Sequence, residues 1–207
     1  MQDKKEETIA GFNEYLESLS KKRNVLMTLT KFDSRKTDIV CSSVPVNKVK
    51  PLDGESYRPG ETTPLYDAIG RTIRNAEDTT KKYPGISVLF VILTDGLENA
   101  STEWTKEKIV DLIKEKEKDG WTFAYLGAGQ DARAVGVSYG ISGQSTLDFA
   151  NTGGGMVSAC ANLAAATDSY LAKDAIYTTS YFAKSADTYT EDDVKKYEAK
   201  IANRVKK

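Results

Sequence analysis

Apolar residues Ile9, Phe12, Leu16 and Leu19 recur at helical spacing among Glu and Lys, which predicts an amphipathic helix over residues 8–19. Residues 24–33 form a near-continuous β-prone run and residues 37–44 a second. The short polar link Ser34-Arg35-Lys36 makes them an antiparallel pair. Residues 45–60 carry three of the five prolines and read as a surface loop. Pro64 then suits the first turn of a helix and Thr62 or Thr63 its cap, with Leu65, Ala68, Ile69, Ile73 and Ala76 on one face before Pro84-Gly85 ends it. Residues 86–94 are hydrophobic throughout rather than alternating, the mark of a strand buried on both faces in the middle of a parallel sheet. A helix over 105–118 (Ile109, Leu112 and Ile113 inward), a strand over 121–126, a short helix over 132–139 and an edge strand over 145–149 follow. Gly153-Gly154-Gly155 leads into an Ala-rich helix ending near Leu171. Beyond a Tyr/Ser/Thr-rich passage, Thr190 caps a last helix with Val194, Tyr197, Ile201 and Val205 on one side. The alternation predicts a three-layer, Rossmann-like α/β fold with a mostly parallel sheet and one antiparallel edge strand. Residues 1–150 make up that domain, and residues 151–207 a helical extension on or beside it.

Composition narrows the function. The chain has 207 residues, 40% hydrophobic and 29% charged, which suits a globular domain, and no apolar run is long enough to cross a membrane. Its net charge of −1 creates no field for nucleic acid. Histidine is absent, so Ser-His-Asp and Cys-His catalysis and imidazole ligands are excluded, and any metal must be held by oxygen. The two cysteines, Cys41 and Cys160, are far apart, which suits a reducing cytoplasm rather than a disulfide framework. The N-terminus is highly charged and lacks an apolar signal core. No nucleophile-base pair or carboxylate dyad can be nominated, so a binding role is expected rather than an enzyme.

Two stretches carry the chemistry: Gly60-Glu61-Thr62-Thr63-Pro64-Leu65-Tyr66-Asp67-Ala68-Ile69, opening a helix, and Leu93-Thr94-Asp95-Gly96-Leu97-Glu98-Asn99, after the buried strand. In local terms Thr63 is a cap and Asp95 a turn residue before Gly96. Asp67 is a first-turn carboxylate facing the helix dipole and Glu98 an exposed turn residue. Together the two stretches resemble the von Willebrand factor type A (vWA) domain, over roughly residues 1–148. Ile9-Ala10-Gly11-Phe12-Asn13-Glu14-Tyr15-Leu16 looks like the first helix of its bacterial and phage members. In that family a metal-ion-dependent adhesion site combines a first-strand Asp-x-Ser-x-Ser loop, a loop Thr and the Asp of a Thr-Asp-Gly turn. A partner's carboxylate completes the metal's coordination. The resemblance assigns the Thr to Thr63 and the Asp to Asp95, and makes the chain a protein-binding or assembly module.

The first strand and its serine loop have no counterpart, because the sequence opens at Met1, where the family has the residue after that loop. The family's sheet order is three-two-one-four-five-six, so the absent strand is a central one. The strands around residues 25–32 and 87–93 either close up or leave a slot for an upstream segment, a second chain or a partner's strand. A homo-oligomer therefore stays open. With only Thr63 and Asp95 in place, Mg²⁺ is expected to bind weakly or not at all unless the missing loop is supplied.

A different reading comes from Gly127-Ala128-Gly129-Gln130-Asp131-Ala132, a G-x-G-x-x-A spacing between strand and helix with Asp148 further on. It would make the chain a nucleotide- or dinucleotide-binding protein using Gly127, Gly129 and Asp148, although a tight turn explains the same glycines. The glycine run at 153–155 is a hinge or a close-packing site, since no Lys follows at phosphate-loop spacing. The mixed charges of residues 114–118 form a solvated helix face. Tyr170, Tyr177, Tyr181, Phe182 and Tyr189 either make an adhesive surface or anchor the tail.

Overall fold

The computed structural model describes residues 4–33, 37–129, 131–172, 181–182 and 191–206. Helix α1 (Lys5–Ser20) leads to strands β1 (Leu26–Phe32) and β2 (Thr37–Pro45). Then come α2 (Leu65–Lys82), β3 (Leu89–Thr94), α3 (Lys106–Lys118), β4 (Thr122–Ala128), α4 (Ala132–Ser138), β5 (Thr146–Phe149), α5 (Gly153–Ala172) and α6 (Glu191–Val205). The fold is α/β with a Rossmann-like layout. β3, β4 and β5 form a parallel sheet in that order, and β1 and β2 form a separate antiparallel pair.

The hydrophobic run at 86–94 does not become a central strand. It shortens to β3, an edge of its sheet, and its residues alternate between buried and half-buried. The central strand is β4, buried from Thr122 to Ala128 because it has a neighbour on both sides and helices over both faces. Composition alone cannot tell a central strand from an apolar strand at the edge of its sheet.

One core layer packs α2 and α3 (Leu65, Ile69, Ile73, Ile109, Ile113) on Phe90, Ile92, Phe123 and Tyr125. The opposite layer packs Met156, Cys160 and Leu163 of α5 on Ala124, Leu126 and Phe149, with Ile201 of α6 and Ala10 of α1 joining in. Arg204 of α6 ties to Glu14 and Glu17 of α1. Tyr181 is buried and shares a hydrogen bond with Thr167, so it and Phe182 anchor the tail; Tyr177, Tyr189 and Thr190 lie outside the described residues. The glycine run is no hinge: it forms the first turn of α5, where the Thr152 hydroxyl accepts from the Gly155 N–H (3.1 Å). Glu7 lies over Gly153, so the anion at this helix N-terminus is the chain's own carboxylate.

Helix α2 fixes the relative direction of the two sheets. Its start lies at the end of β3, where the Thr63 hydroxyl presses on Gly96. Further along, Thr72 bonds to Thr30 of β1 (2.7 Å) and Thr79 to Ser43, whose neighbour Val44 pairs with Met27 near the start of β1. β1 and β3 therefore point the same way, each antiparallel to α2.

The crossing of α1 and α5 depends on Gly11, where an added β-carbon would lie 2.5 Å from the Cys160 sulfur. Gly11→Ala should cost about 1–3 kcal/mol in urea unfolding. Adding Cys160→Ala to that variant should recover part of the loss, and additive losses in the double-mutant cycle would contradict this packing.

Candidate functional site

The site sits at the C-terminal end of β3, where three loops converge. The Thr94 hydroxyl accepts from the Gly96 N–H (3.2 Å) and donates to the Gly96 carbonyl (2.9 Å), closing the Thr-Asp-Gly turn. A β-carbon on Gly96 would come 2.6 Å from the Thr63 hydroxyl, so only Gly lets the two loops meet this closely. The Thr63 N–H donates to the Asn99 side chain (2.8 Å), and the Asn99 N–H returns a bond to the Thr63 carbonyl (3.2 Å). The structure thus brings Thr63 beside the residue that follows Asp95.

Neither Thr62 nor Thr63 caps α2, whose N-cap position is Pro64, without a side-chain bond. The cap comes from the neighbouring loop: Glu98 accepts from the N–H groups of Tyr66 (2.9 Å), Ala100 (2.8 Å) and Ser101 (2.7 Å) and from the Ser101 hydroxyl (2.7 Å). Glu98 is accordingly half-buried and structural, not an exposed turn residue. Asp67 is 5% exposed and accepts from the N–H groups of Thr102 (2.9 Å), Glu103 (3.0 Å) and Trp104 (2.9 Å). Its partners are loop amides, so it does more than face the helix dipole. Burial alone would raise both carboxyls, but these donors hold them below their ordinary range.

Asp95 has a partner that the sequence did not announce. The Lys4 ammonium lies 3.3 Å from Asp95 Oδ2 and donates to the Asn151 side-chain oxygen. Nearby, burial and the Asp95 charge push the Tyr57 phenol up to about 12, so it stays neutral, sharing a hydrogen bond with Thr8. Lys4, Asn151 and Tyr57 escaped sequence reasoning because they are distant in the chain and belong to no motif.

Mg²⁺ needs about six oxygens, usually with more than one carboxylate. Here Thr63 and Asp95 bring one hydroxyl and one carboxylate, and an ammonium already holds that carboxylate. Among the described residues no three His, Cys, Asp or Glu side chains gather as a metal cluster. The residues present do not fit the divalent ion that the vWA resemblance implies.

Beside this face runs an open slot. Among the described residues β1 has only β2 as a strand neighbour, and β3 only β4. Their other edges border a groove of about 650 Å³. Phe12 and Tyr15 of α1 line it on one side and Leu65, Ile69 and Thr72 of α2 on the other, with Thr63 and Asp95 also on its wall. Every residue of β1 is only half-buried. The flanking strands have not closed up.

Comparison with models of protein families and with curated proteins finds no match.

The Gly127 loop has its own arrangement. Gly129 adopts a positive φ of 61° and its N–H donates to the Phe149 carbonyl (3.1 Å). Asp131 caps α4 by accepting from the Ala134 N–H (2.8 Å), and Asp148 accepts from the Ala132 N–H. Two carboxylates thus occupy the helix N-terminus that a pyrophosphate would need, an arrangement that repels an anion. Among the described residues, no helix is long and apolar enough to cross a membrane.

Because Asp67 and Glu98 titrate below their ordinary range when folded, their stabilisation is complete above that range and is lost as pH falls through the folded values. Urea unfolding followed between neutral and strongly acidic pH should show Asp67→Asn and Glu98→Gln each flattening the acid limb. At neutral pH each should also lose about 1–3 kcal/mol through unsatisfied amides.

Proposed function

We propose that this chain is a protein-binding or assembly module of the vWA type that works by accepting an extended segment of a protein partner into the slot between β1 and β3. The open groove between two strand edges that point the same way is the observation that carries this reading. The spatial order β2-β1, slot, β3-β4-β5 is the one the vWA resemblance implies once a central strand is taken out. Only a strand offers N–H and C=O groups on both of its sides at the spacing the two edges need. Apolar side chains line both faces of the groove, so the segment is apolar on both faces, in the manner of a strand inside a parallel sheet. Running parallel to β1 and β3, it ends beside Thr63 and Asp95. There the metal-completed docking of a partner's carboxylate is replaced by backbone pairing.

The reading contains no catalytic step, nucleic acid or membrane. The free thiols Cys41 and Cys160 suit a reducing, cytoplasmic setting. The Gly127 loop supports no competing nucleotide reading, given the carboxylates at its helix.

The test uses a synthetic peptide of about six Val, Ile and Leu residues, a usual strand length, with lysines at both ends for solubility. Titrated into the isotope-labelled chain, it should shift and protect the amides of β1 and β3 and raise the melting temperature by mass action. A spin label on its C-terminus should broaden signals around Gly96 rather than those at the start of β3. Amides of both strands that stay unmoved at millimolar peptide would end the proposal.

A further inference from the structure

We infer that the Lys4 ammonium is the resident cation of the strand-end face, standing in for the divalent ion that the vWA resemblance would put there, so that this face is built to work without metal. The inference goes beyond strand acceptance and holds whether or not a segment enters the slot.

Lys4 is 3% exposed. A lysine that deep normally loses its proton or finds fixed partners, because an unpaired buried charge costs several kcal/mol. Here the partners come from two distant places: Asp95 Oδ2 at 3.3 Å, after β3, and the Asn151 amide oxygen, after β5. Lys4 itself sits at the N-cap of α1, where its carbonyl accepts from the Thr8 hydroxyl (2.8 Å). One ammonium therefore ties the ends of β3 and β5 to the start of α1. A structural divalent ion at a strand-end face would make the same kind of tie.

The donor chemistry favours the amine. An ammonium is a compact single charge with three donors, and one carboxylate plus one amide oxygen go far towards satisfying it. A divalent ion would carry twice the charge against the one carboxylate that the described residues bring to the ammonium, and would keep most of its waters. Asn151 is telling in this respect: an amide supplies an oxygen without adding a second negative charge.

The test removes the amine and restores the missing carboxylate. The natural chain and Asn151→Asp should give the same melting temperature in EDTA and in millimolar MnCl₂. The double variant Lys4→Met/Asn151→Asp should gain several degrees on adding MnCl₂ and deplete the spin-resonance signal of free Mn²⁺. A folded double variant indifferent to Mn²⁺ would show that these oxygens do not converge on a cation position, and Mn²⁺ binding by the natural chain would show that the amine yields to metal. Either result overturns the inference. Should the double variant not fold, ¹⁵N spectra of the lysine ammonium groups in the natural chain decide. A slowly exchanging signal that disappears in Lys4→Arg and is not broadened by Mn²⁺ is expected. No such signal, or one broadened by Mn²⁺, overturns the inference.

Discussion

A β-strand carries hydrogen-bonding groups along both edges, and among the described residues only one edge of β1 and one of β3 pair with another strand. Most of the remaining architecture follows from that constraint. The two sheets keep a common direction because α2 spans them, bonded to Thr30 of β1 and starting where β3 ends. α1 and α2 wall the gap on its two sides. The protein resembles a frame held at its corners, with a gap where a middle bar would run.

The corners are held by polar contacts rather than by added apolar burial. Glu98 and Asp67 each gather several loop amides, and Lys4 gathers oxygens from the ends of β3 and β5. Polar locks of this kind suit a place beside an open groove, because they fix loop geometry without needing a further strand to press against. Thr63 belongs to the same system through Asn99 and Gly96.

Much of this was legible in the sequence. Periodicity located the helices, the two-strand hairpin and the parallel βα units, because those signals are local. The nearness of Thr63 to the Thr-Asp-Gly turn was suggested only by the vWA resemblance; in the fold the Thr63 hydroxyl lies against Gly96. What escaped depends on neighbours. The run at 86–94 reads as central because its composition is that of a strand covered on all sides, whereas among the described residues β3 has a strand neighbour on one side only. Thr62 and Thr63 read as caps because a hydroxyl before Pro is the usual solution; a carboxylate brought by another loop does the job instead. Glu98 left a faint local trace, its place just ahead of Ala100 and Ser101, whose amides it collects. Lys4 left none, since a lysine in a charged N-terminal run looks solvated.

From Leu89 to Thr94, β3 carries no charged residue, and β1 has only Lys31, whose amine is turned onto the Ser56 carbonyl. Proteins that expose a sheet edge usually post charged gatekeepers along it to turn away unwanted strands. Without them, this border is sticky towards any extended apolar chain, including a misfolded neighbour, so the concentration of such chains sets the colloidal lifetime of the protein.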